Sequence, residues 1–323
     1  MTAAQIYCTV DELIHDLGMQ GDDGMLFSRI QAASSFIQRR IGQFIPVTET
    51  REFQGNGSST QQIDLLLAIT SVTNNTTPVT TYDLYPLSRY WADGPYSRIE
   101  SDYASWDVVS ITGKWGKYNH FEELGETVSQ VASSTDTLVV ADGSKISPGM
   151  VLLIETEQEL VTGWGAVTLA TSQTNGAVTE SDEEITVDNG GEFHAGEVIQ
   201  ISTEDCSIRA VRGNVLVTAR GWNGTSKASH ATDSPISVYR TVKVTRGVNG
   251  TTAAAHASKA AYRYLAPEDV NWLARQIAGL MVKKAQSGFS GKIGNAELGE
   301  TFYFNEFPGQ IKEIARNYRV VSV

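Results

Sequence analysis

Two stretches of this chain match each other in a nested order, and that order limits the folds available to its middle. Val140, Gly143, Gly149, Val151, Ile154 and Glu157 recur 47 residues later as Val187, Gly190, Gly196, Val198, Ile201 and Glu204. Further on the spacing drops to 26: Arg220-Gly221-Trp222-Asn223-Gly224-Thr225 matches Arg246-Gly247-Val248-Asn249-Gly250-Thr251, and His230 matches His256. The order is head, head, tail, tail. Nesting is the simplest account, with an inner unit of about 183–240 interrupting an outer unit of about 136–178 plus 241–264. Strands exchanged between two units are the alternative. Val, Ile, Thr and Leu dominate both copies and Asn-Gly turns stand in both tails, so each unit reads as a small β-barrel or sandwich.

The flanks read differently. Thr9-Val10-Asp11-Glu12 is a capping box, followed by the apolar face Leu13, Ile14, Leu17 and a stop at Gly18. Asp22 or Asp23 caps a second helix whose stripe is Leu26, Ile30, Ala33, Ile37 and Ile41, ended by Gly42. Near the other end, Pro267-Glu268-Asp269 opens a helix with the stripe Val270, Leu273, Ile277, Leu280, Met281. Lys283 and Lys284 follow in its last turn, with Gly288 as a stop. Pro308 opens a fourth, with Ile311, Ile314, Ala315 and Tyr318 on one side. Amphipathic helices cannot bury their stripes alone, so the helices of the two ends are expected to pack together. Between Pro46 and Gly116 the pattern turns to strands: Ile63 to Val72 suits a buried strand, and Trp106 to Gly116 alternates and ends in Gly.

The flanks in this order resemble tailed-phage head–tail connector (adaptor) proteins. The features are a capped helix, a second helix ending Ile41-Gly42-Gln43-Phe44, a Phe53-Gln54-Gly55 turn, an Ile69-Thr70-Ser71-Val72-Thr73 strand and a Ser110-to-Gly116 strand. At the other end they are Ala266-Pro267-Glu268-Asp269, a Gly-rich loop, the aromatic strand Thr301-Phe302-Tyr303-Phe304 and a Pro-led helix running into Tyr318-Arg319-Val320-Val321. The likeness covers roughly 5–118 and 265–323; the long middle is a departure from compact members. The Thr245-to-Thr251 run resembles a β module of assorted phage structural proteins.

The resemblance implies an α+β fold. A helical connector core of about four helices with β excursions would span 1–127 and 265–323. An inserted all-β domain of two nested units would occupy 128–264. It implies a ring, usually dodecameric, between the portal protein and the stopper or tail-terminator proteins of the neck. Genomic DNA would pass through that ring without sequence-specific binding. The C-terminal tail, Arg316, Tyr318, Arg319, Val320, Val321, Ser322 and Val323, would dock on the portal by adding a strand to a sheet edge. The insertion is expected to be dispensable for the helical core. A carbohydrate- or host-surface-binding protein acting through the β repeats is the alternative, with Trp164 and Trp222 as its available platforms.

Composition bears on these classes. A net charge of -12 opposes a site built to grip nucleic acid through phosphates, and suits a channel that repels DNA. No run approaches the length of a membrane span, no secretory leader is evident, and the two cysteines, Cys8 and Cys206, read as free buried thiols. The expectation is a soluble protein made in the host cytoplasm and destined for the virion.

Motifs of chemistry are weak. The Gly21-Asp22-Asp23-Gly24 turn lacks the ligand spacing of a calcium loop. Gly288-Phe289-Ser290-Gly291-Lys292-Ile293 lacks P-loop spacing. His230 and His256 read as hydrogen-bonding rather than metal-ligating, since no further ligand recurs at a fixed spacing. Glu155, Glu157 and Glu159 alternate on one strand face, and Glu180, Asp182, Glu183 and Glu184 form a run. Both are expected to be solvated or lumen-facing acidic surface. Asn74, Asn75, Asn223 and Asn249 stand in glycosylation-like triplets that read as turns. No catalytic residue, cofactor or metal site is expected.

Overall fold

A computed structural model describes residues 4–18, 22–86, 94–102, 105–130, 132–286, 292–293, 302–303, 313–314 and 316. Among them are three helices, α1 (Val10–Leu17), α2 (Asp23–Ile41) and α3 (Glu268–Gln286). Thr9 and Glu12 form the capping box of α1, and Asp22 caps α2 through the amides of Gly24 and Met25. The α2 stripe is buried as its spacing predicts.

The first sheet is built from β1 (Val47–Gln54), β2 (Thr60–Asn74), β3 (Thr77–Pro78), β4 (Asp83–Pro86), β5 (Tyr96–Glu100) and β6 (Val108–Trp115), in the order β1-β6-β2-β5-β4 with β3 beside β2. The chain continues through β7 (Phe121–Gln130), β8 (Thr137–Val139), β9 (Val151–Ile154) and β10 (Glu157–Trp164). Next come β11 (Thr168–Gln173), β12 (Glu184–Thr186), β13 (Val198–Ile201), β14 (Glu204–Arg212), β15 (Val215–Trp222) and β16 (Pro235–Val238). It closes with β17 (Thr241–Thr245) and β18 (His256–Tyr264). The second sheet runs β7-β18-β9-β10-β17-β8 and the third β11-β16-β13-β14-β15-β12. The two orders superpose strand for strand, and the whole of the third sheet lies in sequence between the fourth and fifth strands of the second. A short pair, β19 (Lys292–Ile293) with β20 (Phe302–Tyr303), follows α3.

The expected α+β fold with a helical connector core is therefore corrected. The protein is mostly β, with three six-stranded antiparallel sheets against three helices. The stretch read as β excursions is a sheet with its own core, Ile63, Leu66, Val72, Ile99, Trp106, Val109, Ile111 and Trp115. The helices have no private core. Leu13, Leu26, Ile30, Ile37, Val270, Leu273 and Ile277 share theirs with Val151 and Leu160 of the second sheet and Val248 of the turn between β17 and β18. The fourth expected helix lies largely outside the described residues, of which Glu313, Ile314 and Arg316 are helical.

Polar contacts add to this shared core. Val10 N–H donates to the Pro148 carbonyl at 2.9 Å and Asp11 N–H to Ser147 Oγ at 3.1 Å. Asn249 accepts from Ala4 N–H at 2.8 Å and donates to the Ala4 carbonyl at 3.2 Å. Gln158 Nε2 donates to the Pro46 carbonyl at 2.9 Å. These contacts tie the helices and the first strands to the span expected to be removable, and argue against its removal without harm to the helices.

Candidate functional site

Among the described residues, two buried ionic clusters, one per β unit, stand on matching residues. Each starts at a two-residue hairpin. Ile154 pairs with Glu157 around Glu155, and Ile201 pairs with Glu204 around Ser202. Glu155 and Ser202 take φ of 55° and 58°, the left-handed conformation such a turn requires.

The carboxylate that opens the next strand is then met by five donors. Glu204 Oε1 accepts from Arg220 Nε at 2.7 Å and Gly221 N–H at 3.0 Å. Its Oε2 accepts from a terminal Arg220 nitrogen at 2.6 Å, Ala228 N–H at 3.0 Å and faces His230 Nε2 at 2.9 Å. Glu157 has the same five partners 26 residues further on, Arg246 by two nitrogens, Gly247, Ala254 and His256, at 2.7–3.0 Å. Each arginine also binds carbonyls of the loop before the unit: Thr179 and Asp182 for Arg220, Ala132 and Thr135 for Arg246.

Burial alone would raise these carboxyls, but the arginine, the two amides and the histidine outweigh it and hold Glu157 and Glu204 down to about 2. The arginines are pushed above their ordinary range by the same carboxylates. Each cluster acts as a pin joining a hairpin, the tail loop and the preceding loop. Saturated charge-assisted bonds of this kind give geometric specificity.

These clusters overturn one expectation. Glu157 and Glu159 are not solvated or lumen-facing surface; their side chains are 1% and 0% exposed. The reason is cover from distant segments: Arg246 and His256 supply donors to Glu157, and Gln130 donates to Glu159. His230 and His256 each face a carboxylate. Glu180, Glu183 and Glu184 are exposed.

Among the described residues two groups have metal-like spacing: Glu157, Glu159 and His256, and Asp142, His194 and Glu197. In both an arginine already supplies the positive charge. Arg246 occupies the first, and Arg240 reaches Glu197 at 2.7 and 3.0 Å in the second, where Gly143 N–H also donates. Neither offers an open ligand set.

Of the tail residues expected to meet the portal, Arg316 is exposed and helical. Tyr318, Arg319, Val320, Val321, Ser322 and Val323 lie outside the described residues. Trp164 is no free platform: its Nε1 donates to Asp23 Oδ2 at 3.1 Å and its ring lies 6.0 Å from Tyr239. Sequence reasoning missed an aromatic cluster, the exposed Phe121 packed edge-on against Tyr262 and Tyr264. The alternation of Tyr262 and Tyr264 was its signal. It also missed that Asn249 clamps the start of the chain. Compared with models of known families, with curated proteins and with solved structures, the chain matches none of them.

Proposed function

We propose that this chain is a structural subunit of a tailed-phage neck, a head–tail connector or adaptor that works by assembly and catalyses no reaction. The observation that carries the reading is the use of the buried ionisable groups. Glu157, Glu204, Arg220, Arg246, His230 and His256 are spent on pinning loops. Such groups serve rigidity rather than turnover, since a catalytic acid or base needs a free position facing substrate.

The ordered resemblance of the two ends supports the family. In this reading the subunits form a ring, for which a dodecamer is the expectation, between the portal and the stopper or tail-terminator proteins. The ring is assembled in the host cytoplasm and resides at the neck of the virion. Its channel is negative and DNA slides past unheld, in keeping with the net charge of -12. The segment from Arg316 to Val323 docks on the portal.

The test is sizing of the purified protein alone and mixed with portal protein, followed by imaging of the particle. A defined ring, or co-migration with portal, supports the reading. A monomer that ignores portal and binds glycans supports the carbohydrate- or host-surface-binding alternative, which the exposed Phe121 beside Tyr262 and Tyr264 favours.

A further inference from the structure

Apart from the turn residues Glu155 and Ser202, the two pins differ at a matching position next to the carboxylate. Two residues beyond the pinned carboxylate, the inner unit has Cys206 and the outer unit has Glu159. Both are fully buried. Arg246 Nε lies 2.7 Å from Glu157 Oε1 and 2.8 Å from Glu159 Oε1. The hydrogen bond of that N–H goes to Glu157. Glu159 Oε1 is left buried without a hydrogen bond. Its other oxygen accepts from Gln130 Nε2 at 3.1 Å, at the last residue of β7.

The groups facing Glu159 are Glu157 from its own strand, Arg246 from the tail loop, His256 from β18 and neutral Gln130 from β7. Beyond them, Glu155 meets the Nδ1 of His256 at 2.9 Å and Lys259 at 2.7 Å. Two buried carboxylates thus face one guanidinium already committed to the first, and a proton on the second relieves the conflict.

We propose that Glu159 is a proton-operated lock of the outer β unit. Protonated, it lets the hairpin, the tail loop and the end of β7 close on one another. Ionised, it loosens them, while the inner unit, with a thiol in that place, does not respond. Burial, opposed by Arg246 and reinforced by Glu157, pushes the Glu159 carboxyl up to about 7 from its ordinary 4.5. A carboxyl raised on folding stabilises fully below its unfolded value, and that stabilisation is lost as pH rises through about 7.

The experiment is hydrogen exchange on the full chain between pH 5.5 and 8.5, corrected for intrinsic rates. In the native protein, protection in 132–139 and 246–256 should fall about tenfold or more across this range, while 179–186 and 220–230 hold steady. E159Q should abolish the fall. C206E should confer the same fall on the inner unit. A native outer unit whose protection ignores pH would overturn the proposal. So would a fall that persists in E159Q, which would assign the response to His256. A folded C206E protein with no new response would overturn it as well, and if C206E does not fold the E159Q arm decides.

Discussion

Replacing Arg220 by Met tests whether the inner pin holds its unit together. Arg220 and Glu204 both have side chains with 0% exposure. The change removes two charge-assisted bonds from Glu204 and strands the carbonyls of Asp182 and Ala228, which Arg220 satisfies at 2.8 and 2.6 Å, while the Thr179 carbonyl keeps the Asp182 N–H. Three donors remain on the carboxylate: Gly221, Ala228 and His230. Leaving a buried charge without its partner costs about 3–5 kcal/mol, and each stranded carbonyl adds up to about 1 kcal/mol where water cannot reach it. The remaining donors offset part of this, so about 4 kcal/mol is expected at neutral pH.

The pH dependence gives a second reading of the same pair. Glu204 is held at about 2, below its ordinary 4.5. A depressed carboxyl stabilises above 4.5, and the gain is lost as pH falls towards 2. That gain is at most ~3 kcal/mol by linkage. In R220M the carboxyl titrates higher, so the deficit against the native protein should shrink as pH falls from 7 to 3. The double variant E204Q/R220M should recover part of the loss, because neither buried charge remains. The assay is urea unfolding of the native protein and both variants at several pH values. A deficit for R220M below about 1 kcal/mol, or one that does not change with pH, would refute the account of the pin.

Asn249→Ala removes a donor–acceptor pair from the Ala4 backbone and a bond to Gln158 Oε1; a loss of about 2 kcal/mol and faster proteolysis within residues 4–9 are expected. Gly190→Ala and Gly143→Ala each set a Cβ against a carbonyl, 2.0 Å from Gly213 O and 2.2 Å from Tyr239 O. Each should cost about 1–3 kcal/mol in thermal unfolding, whereas alanine at Gly163, which meets nothing within 4 Å, should be mild. Deletion of 128–264 behind a short linker removes Val151, Leu160 and Val248 from beneath the helices and β18 from beside β7. Loss of a cooperative melt by circular dichroism is expected, and a sharp helical transition in the deleted protein would contradict the shared core.

What the residues announced and what they hid follow one physical rule. Local devices were legible because their partners lie within a few positions: the Thr9–Glu12 box, the Asp22 cap and the stripe of α2. Periodicity also placed Glu157 and Glu159 on a common face, but alternation says which residues share a side and not which side is covered. The cover, Arg246, lies 89 residues from Glu157. For the same reason the Pro46–Gly116 stretch looked like excursions. Its strands pair out of order, β1 with β6 and β6 with β2, and only that closure buries Trp106 and Trp115. The matched residues of the two copies were the exception, since Glu157 with Glu204, Arg246 with Arg220 and His256 with His230 make the same contacts.

The change in spacing from 47 to 26 has a structural cause. The chain leaves the second sheet from β10 and returns to it on β17, and these strands are neighbours, with Trp164 opposite Val242. It enters the third sheet on β11 and leaves from β16, again neighbours, with Thr168 opposite Val238. Between them Gly165 N–H donates to the Thr241 carbonyl at 2.8 Å, so the two crossings run side by side as one ribbon. An insertion whose ends already sit together adds little loop-closure entropy to its host. The outer pin depends on a tail loop that begins after the return, so Arg246 reaches Glu157 only if the inner unit closes first or holds its ends together. The inner pin, formed by Glu204 and Arg220 only 16 residues apart, fits that order of formation. Disrupting it with R220M should therefore slow closure of the outer unit, while disrupting the outer pin leaves closure of the inner unit unchanged. Pulse-labelled hydrogen exchange during refolding reads this directly: protection of 246–256 arriving before that of 220–230 would reverse the order and refute it.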